Sequence, residues 1–184
     1  GEETALINSI EGKRGEPRMR PPYPVGFGLF GKPTVVNNAE TLTNISWIIK
    51  NGGEKYSQIG LKTSPGMKFF SIDGAVKNPG LYEAPIGVSV GELIETFAGG
   101  TTGDFWFAQI GGSSGNLVIK EMLNEIPSFS REAKIHIGSG SVLVVDKNQD
   151  IKRFLRSIIN FFQRESCGKC VPCREGTFRL KSIV

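Results

Sequence analysis

Three cysteines, Cys167, Cys170 and Cys173, lie within seven residues of each other in the run ESCGKCVPCREG, and the chain has no others. Thiolates are soft ligands that suit iron–sulfur clusters and zinc. Two-residue spacers let successive sulfurs converge on one small object, and Gly168 permits the tight backbone curl this needs. Pro172 resembles the proline that accompanies many cluster cysteines. A secreted disulfide framework would use an even number of cysteines and spread them out, so the cluster of three points to a reducing compartment. A cubane 4Fe–4S cluster takes four thiolates, so a fourth ligand must come from elsewhere. Zinc with an outside ligand and unmetallated thiols are the competing readings of the same spacing. His136 is a poor fourth ligand, because it alternates with Ile135 and Ile137 as an exposed strand residue would.

The elements that must position these thiols begin with a helix over 150–164. Asp150 is its candidate cap, and Ile151, Phe154, Leu155, Ile158, Phe161 and Phe162 give it a broad apolar face. Upstream, residues 67–146 read as a compact α+β unit. MKFFSIDGAV and LYEAPIG are strands joined by the turn KNPG. Ser89 with Glu92 forms a capping box that opens a helix carrying Val90, Leu93, Ile94 and Phe97, closed by Gly99 and Gly100. FWFAQIGG, NLVIK and SVLVVD are further strands. A hairpin, one helix and returning strands make a β-grasp arrangement. The glycines of GGSSG at 111–115 form a turn: no lysine follows to make a phosphate cradle.

The first third is different. Residues 1–11 are helix-like, and 12–33 are dense in Gly and Pro with Lys13, Arg14, Arg18, Arg20 and Lys32. Proline removes backbone donors, so this is neither helix nor central strand. Tyr23, Phe27, Leu29 and Phe30 mark an ordered loop wrapped on a larger body rather than a linker. The basic run from Lys13 to Arg20 reads by default as a solvated face. Asn37 or Asn38 caps a second helix with Leu42, Ile45, Ile48 and Ile49 on one side, ended by Gly52 and Gly53.

Composition narrows the function classes. A net charge of +4 over 184 residues is too weak to imply nucleic acid. No run approaches the roughly 18 apolar residues of a membrane span, so direct membrane insertion is not expected. A cytoplasmic protein is expected.

ESCGKCVPCREG resembles the cluster-binding signature of the NADH-binding flavoprotein subunit of respiratory complex I, a module shared with NAD(P)-linked hydrogenases and formate dehydrogenases. GEETALINSIEGKRGEPRMRPPYP and GLFGKPTVVNNAETL resemble that family's flavin-domain motifs. GAVKNPGLYEAPIG and ELIETFAGG resemble its soluble-ligand-binding β-grasp domain. The likeness runs along nearly the whole chain in the family's order.

The resemblance implies an internal fragment: the end of an FMN domain over 1–60, a β-grasp domain over 61–148, and the start of a 4Fe–4S helical domain over 149–184. It places Gly1, Glu2, Glu3, Val36, Asn37 and Asn38 against FMN, and Cys167, Cys170 and Cys173 on a 4Fe–4S cluster. Read alone, the asparagines are helix caps and the glutamates solvated. The implied activity is oxidation of NAD(P)H with electrons passing through FMN to the cluster, in a complex with other electron-transfer subunits. No side chain here need act as acid or base. A small-ligand or subunit-interaction module with a structural metal site is the alternative function. The fragment alone is expected to hold no cofactor stably, and residues 1–35 are expected to pack poorly.

Overall fold

The computed structural model describes residues 2–184. In chain order, the helices are α1 (Glu3–Ile10), α2 (Ala39–Asn51), α3 (Gly53–Ser57), α4 (Val90–Glu92), α5 (Ile151–Glu165) and α6 (Val171–Ile183). The strands are β1 (Gly60–Leu61), β2 (Ser64–Pro65), β3 (Met67–Gly74), β4 (Gly80–Pro85), β5 (Phe105–Ile110), β6 (Asn116–Val118) and β7 (Ser141–Asp146). The chain divides into two compact units: residues 1–43 with 152–184, and residues 44–151.

The second unit is the α+β body. Its five-stranded sheet has the order β4-β3-β7-β5-β6, with β7 in the middle. β3 and β4 form an antiparallel hairpin, while β3 and β7 run parallel, Ile72 opposite Val142 and Gly74 opposite Val144. A parallel pair needs a crossover, and α4 lies within it. This is the β-grasp expected from the sequence. Strand alternation sets which residues are buried: Phe70 and Ile72 of β3, Val142 and Val144 of β7 and Ile110 of β5 pack with Val90, Leu93, Ile94 and Ala98 of the helical segment.

The capping box forms as expected. Ser89 Oγ accepts the Glu92 N–H at 3.2 Å, and the Glu92 carboxylate accepts the Ser89 N–H at 2.9 Å. After Glu92 the helix widens: Leu93–Phe97 is a π-helical turn in which the Ala98 N–H donates to the Leu93 carbonyl at 3.2 Å.

Several strand limits differ from expectation. β5 has a register shift between Phe105 and Phe107, so Trp106 is the extra residue of a bulge and is left 38% exposed. β6 ends at Val118 rather than Lys120. Residues 135–137 make only an isolated bridge, His136 to Ser128, yet the predicted alternation holds, with Ile135 and Ile137 buried and His136 outside. Gly74 has φ +91, and a Cβ there would stand 2.1 Å from the Val144 carbonyl oxygen, so the end of β3 requires glycine.

In the first unit, α1 ends in a Schellman motif: Gly12, at φ +75, donates to Ser9 O at 3.1 Å, and Lys13 donates to Asn8 O at 2.9 Å. The expectation that residues 1–35 pack poorly is corrected in part. Thr4, Ile7 and Asn8 are buried, and the following loop is hydrogen-bonded onto them. The large apolar groups Met19, Tyr23, Val25, Phe27 and Phe30 do remain exposed. α2 ends where Gly52 takes φ +92, but Gly53 opens α3 instead of ending order. No residue of α2, α5 or α6 is buried.

Leu93 has no exposed surface. Leu93→Ala is expected to destabilise the β-grasp unit by about 2–5 kcal/mol, and Ser89→Ala by about 1 kcal/mol through loss of the cap. Urea denaturation followed by tryptophan fluorescence checks both. A Leu93→Ala midpoint equal to wild type would show that the helix does not anchor this core.

Candidate functional site

All of the chemistry-bearing segments singled out above fall in the first unit. Gly1 lies outside the described residues. Glu2 is the N-cap of α1, where its carboxylate accepts the Ala5 N–H at 2.9 Å and the Thr4 hydroxyl at 2.5 Å. Its other oxygen pairs with Arg20 at 2.6 Å, and Glu3 takes the second Arg20 nitrogen at 2.9 Å. One guanidinium thus bridges both glutamates. Burial opposes ionisation of Glu2, but the Thr4 and Ala5 hydrogen bonds and Arg20 together hold its pKa below the usual carboxylate value.

Asn38 caps α2, its Oδ1 accepting the Glu40 N–H at 2.8 Å, and Asn37 Oδ1 accepts the Asn38 N–H at 3.1 Å. Both asparagines are exposed and Val36 is half-buried. The helix N-terminus at Asn38 favours an anion by its dipole and its N–H groups.

The loop between these two groups is organised by Glu11. Its carboxylate meets Arg18 at 2.6 Å and Lys13 at 2.6 Å, and it accepts the Phe30 N–H at 2.9 Å. Phe30 has φ +49, a left-handed conformation unusual for a side chain of this size. The Glu11 side chain is only 6% exposed, and these donors lower its pKa to about 2, Arg18 contributing most. Arg18 also donates to Asn8 Oδ1 at 2.7 Å and to the Gly28 carbonyl at 3.2 Å. The basic run is therefore not simply a solvated face: Arg18 and Arg20 are internal fasteners. The available signal was charge complementarity, with Glu2, Glu3, Glu11 and Glu16 matching the cations of the loop.

The cysteine run spans a loop and the start of α6. Gly168 takes φ +75, the curl expected of it. Cys170 is the N-cap of α6, Pro172 stands in its first turn where a missing N–H costs nothing, and Cys173 follows. Arg174 clamps the loop by donating to the Gly168 carbonyl at 2.7 Å, and Ser166 Oγ lies 3.2 Å from Cys173 Sγ. All three thiols are free and exposed. Among the described residues no three His, Cys, Asp or Glu side chains converge to hold a metal ion. The structure brings the three thiols to one loop and helix start without closing them on a point. As a donor set, three thiolates at a helix N-terminus fit three of the four corners of an anionic 4Fe–4S cluster.

Comparison with known proteins bears on both units. Residues 153–184 match the family model of the NADH-ubiquinone oxidoreductase-F iron-sulfur binding region, and residues 69–115 match the SLBB domain. The F subunit of the NADH-quinone oxidoreductase of Aquifex aeolicus is 42% identical over 184 residues, which is 100% of this chain and 43% of that protein. The chain is similar to this F subunit along its whole length. The Rickettsia felis counterpart is 43% identical over 96% of the chain and likewise 43% of its own length. The chain thus spans less than half the length of these relatives. An NAD+-reducing [NiFe]-hydrogenase, crystallised in the air-oxidized state, superimposes with a TM-score of 0.90 at 41% identity, covering 98% of this chain and 31% of that one. The iron–sulfur match contains Cys167, Cys170 and Cys173, and the SLBB match contains most of β3 with β4, α4 and β5.

The Glu11 arrangement has a pH signature. Its pKa falls from the ordinary 4.5 to about 2 on folding, so the stabilisation is complete above pH 4.5 and is lost as pH falls toward 2. Glu11→Gln is expected to weaken the first unit at neutral pH and to flatten its acid-unfolding curve between those two values. Circular dichroism along an acid titration checks this. An acid limb as steep in the variant as in wild type would show that another carboxylate carries it.

Proposed function

We propose that the chain forms the part of an NAD(P)H-oxidising flavoprotein subunit that carries electrons from FMN toward a 4Fe–4S cluster. The observation that carries this reading is the placement of Cys167, Cys170 and Cys173 at the start of α6, inside the segment that matches the NADH-ubiquinone oxidoreductase-F iron-sulfur binding region. Flavin and cluster, when bound, would supply the conversion of two-electron into one-electron transfer.

The chain's own residues hold and orient. Cys167, Cys170 and Cys173 would ligate three irons, with the fourth ligand supplied from outside the chain's cysteines. Gly168 and the Arg174 clamp keep the loop curled for them. Asn37 and Asn38, at the N-terminus of α2, would face the FMN phosphate. Val36, beside them, would lie against the flavin. Gly1, Glu2 and Glu3 would face its neutral hydroxyl-bearing part, where Arg20 offsets one of the two carboxylate charges. Other electron-transfer subunits would cover the exposed apolar groups of this unit. By itself the chain would hold no stable cluster, because one iron has no protein ligand.

In the intact protein, Cys170→Ser is expected to abolish one cluster's electron paramagnetic resonance signal while NADH still bleaches the flavin absorbance. Loss of flavin reduction with every cluster signal retained would refute this order of steps.

A further inference from the structure

Lys169 lies between two of the three cysteines, and its ammonium is engaged by a segment near the start of the chain. It donates to the backbone carbonyl of Pro17 and stands 3.7 Å from the Glu16 carboxylate, with Pro17 lying 152 positions earlier in the chain. That landing point is itself fixed. The Glu16 carbonyl accepts from Asn8 Nδ2 at 2.6 Å, and the Arg18 N–H donates to the buried Thr4 hydroxyl at 2.9 Å. Thr4 in turn donates to Glu2, and two residues beyond Arg18 the Arg20 guanidinium holds Glu2 and Glu3. At the other end, Lys169 belongs to a loop already curled by Gly168 and clamped by Arg174. The Lys169 side chain therefore joins two segments that are each held by their own hydrogen bonds.

We infer that Lys169 is a positioning residue: a strut that fixes the cysteine loop against the α1 segment, and so sets where the cluster ligands stand relative to Glu2 and Glu3. The inference rests on the functional reading above for its consequence, but not for the contact itself. A lysine whose role was only to balance an anionic cluster would direct its charge at the thiols, not at a carbonyl and a carboxylate of another segment. Because the bond crosses from one segment to the other, severing it from either side has the same mechanical effect. The electrostatic effects of doing so are opposite: Lys169→Met lowers the local charge by one unit, whereas Glu16→Lys raises it by two and repels Lys169.

The test uses the intact protein with its partner subunits, comparing wild type, Lys169→Met, Lys169→Arg and Glu16→Lys. Hydrogen exchange at residues 14–18 and 166–170 is expected to rise about threefold in both Lys169→Met and Glu16→Lys, and to return toward wild type in Lys169→Arg. The cluster's reduction potential, read by redox titration with paramagnetic resonance, is expected to move in the same direction in both loosened variants. Flavin reduction by NADH should be unchanged. Unaltered exchange at 14–18 in both variants, or potentials that shift in opposite directions, would overturn the strut and leave Lys169 as a field charge. Iron content of the wild type is measured alongside: absence of a cluster there would sink the functional reading, while the exchange result would still decide the strut.

Discussion

Residues 12–33 cannot hold a shape by burial. Met19, Tyr23, Val25, Phe27 and Phe30 stand in solvent, and the prolines deny the segment a hydrogen-bond ladder. What gives them a conformation is the convergence of Arg18, Lys13 and the Phe30 N–H on the Glu11 carboxylate at the end of α1. Remove that charge and Arg18 loses the anion that offsets its partial burial, while Phe30 loses the contact that offsets its left-handed backbone. That conformation costs on the order of 1–3 kcal/mol, so it persists only where its surroundings impose it. Everything nearby depends on the same point: the Glu2–Arg20–Glu3 bridge and the Glu16–Pro17 step both hang from a loop anchored at Glu11 and Asn8.

The β-grasp unit is held by the opposite means. Sixteen buried apolar residues form its core, and β7 in the middle of the sheet is paired on both sides. Burial is non-directional. Ion pairs are directional, and they weaken with ionic strength where they are exposed. The chain thus joins a unit with a firm core to one whose geometry is set by a few charges. The sites that would handle anionic or redox-active groups all lie in the second kind, where polar groups are already in place to be directed.

How much of this is readable without coordinates follows from the same division. Period-2 burial in β3 and β7, the Ser89–Glu92 capping box and the Gly168 curl were legible, because each is a local rule acting on neighbouring residues. The bulge at Trp106 was not, because it arises from pairing β5 to β7, with nothing local to mark it. Residues 135–137 show alternation without a strand, because alternating burial requires only one inward-facing side, not a ladder. The cysteine motif was legible as a ligand set, but its split between a loop and the first turn of α6 depended on where the helix began. The ion-pair network was least legible. Arg18 reaches Glu11 and Gly28, and Lys169 reaches Pro17 across 152 positions, and no sequence period encodes such pairings.

The pairs also differ among themselves, in a way that orders them by role. The Glu11 carboxylate is covered largely by Arg18 and its other donors, which hold it in one place near the protein surface. Arg20 with Glu2 and Glu3 is about one-third exposed throughout. That suits a pair that holds two like charges together while leaving them open to solvent. Lys169 and Glu16 are also open to solvent, at 44% and 35%, and sit 3.7 Å apart. A contact of that kind contributes little to stability. Its effect must therefore be geometric: it selects one placement of an already ordered loop from several of similar energy. A weak bond is sufficient for that, provided both of the segments it joins are rigid, and the Arg174 clamp and the Asn8 and Thr4 hydrogen bonds make them so.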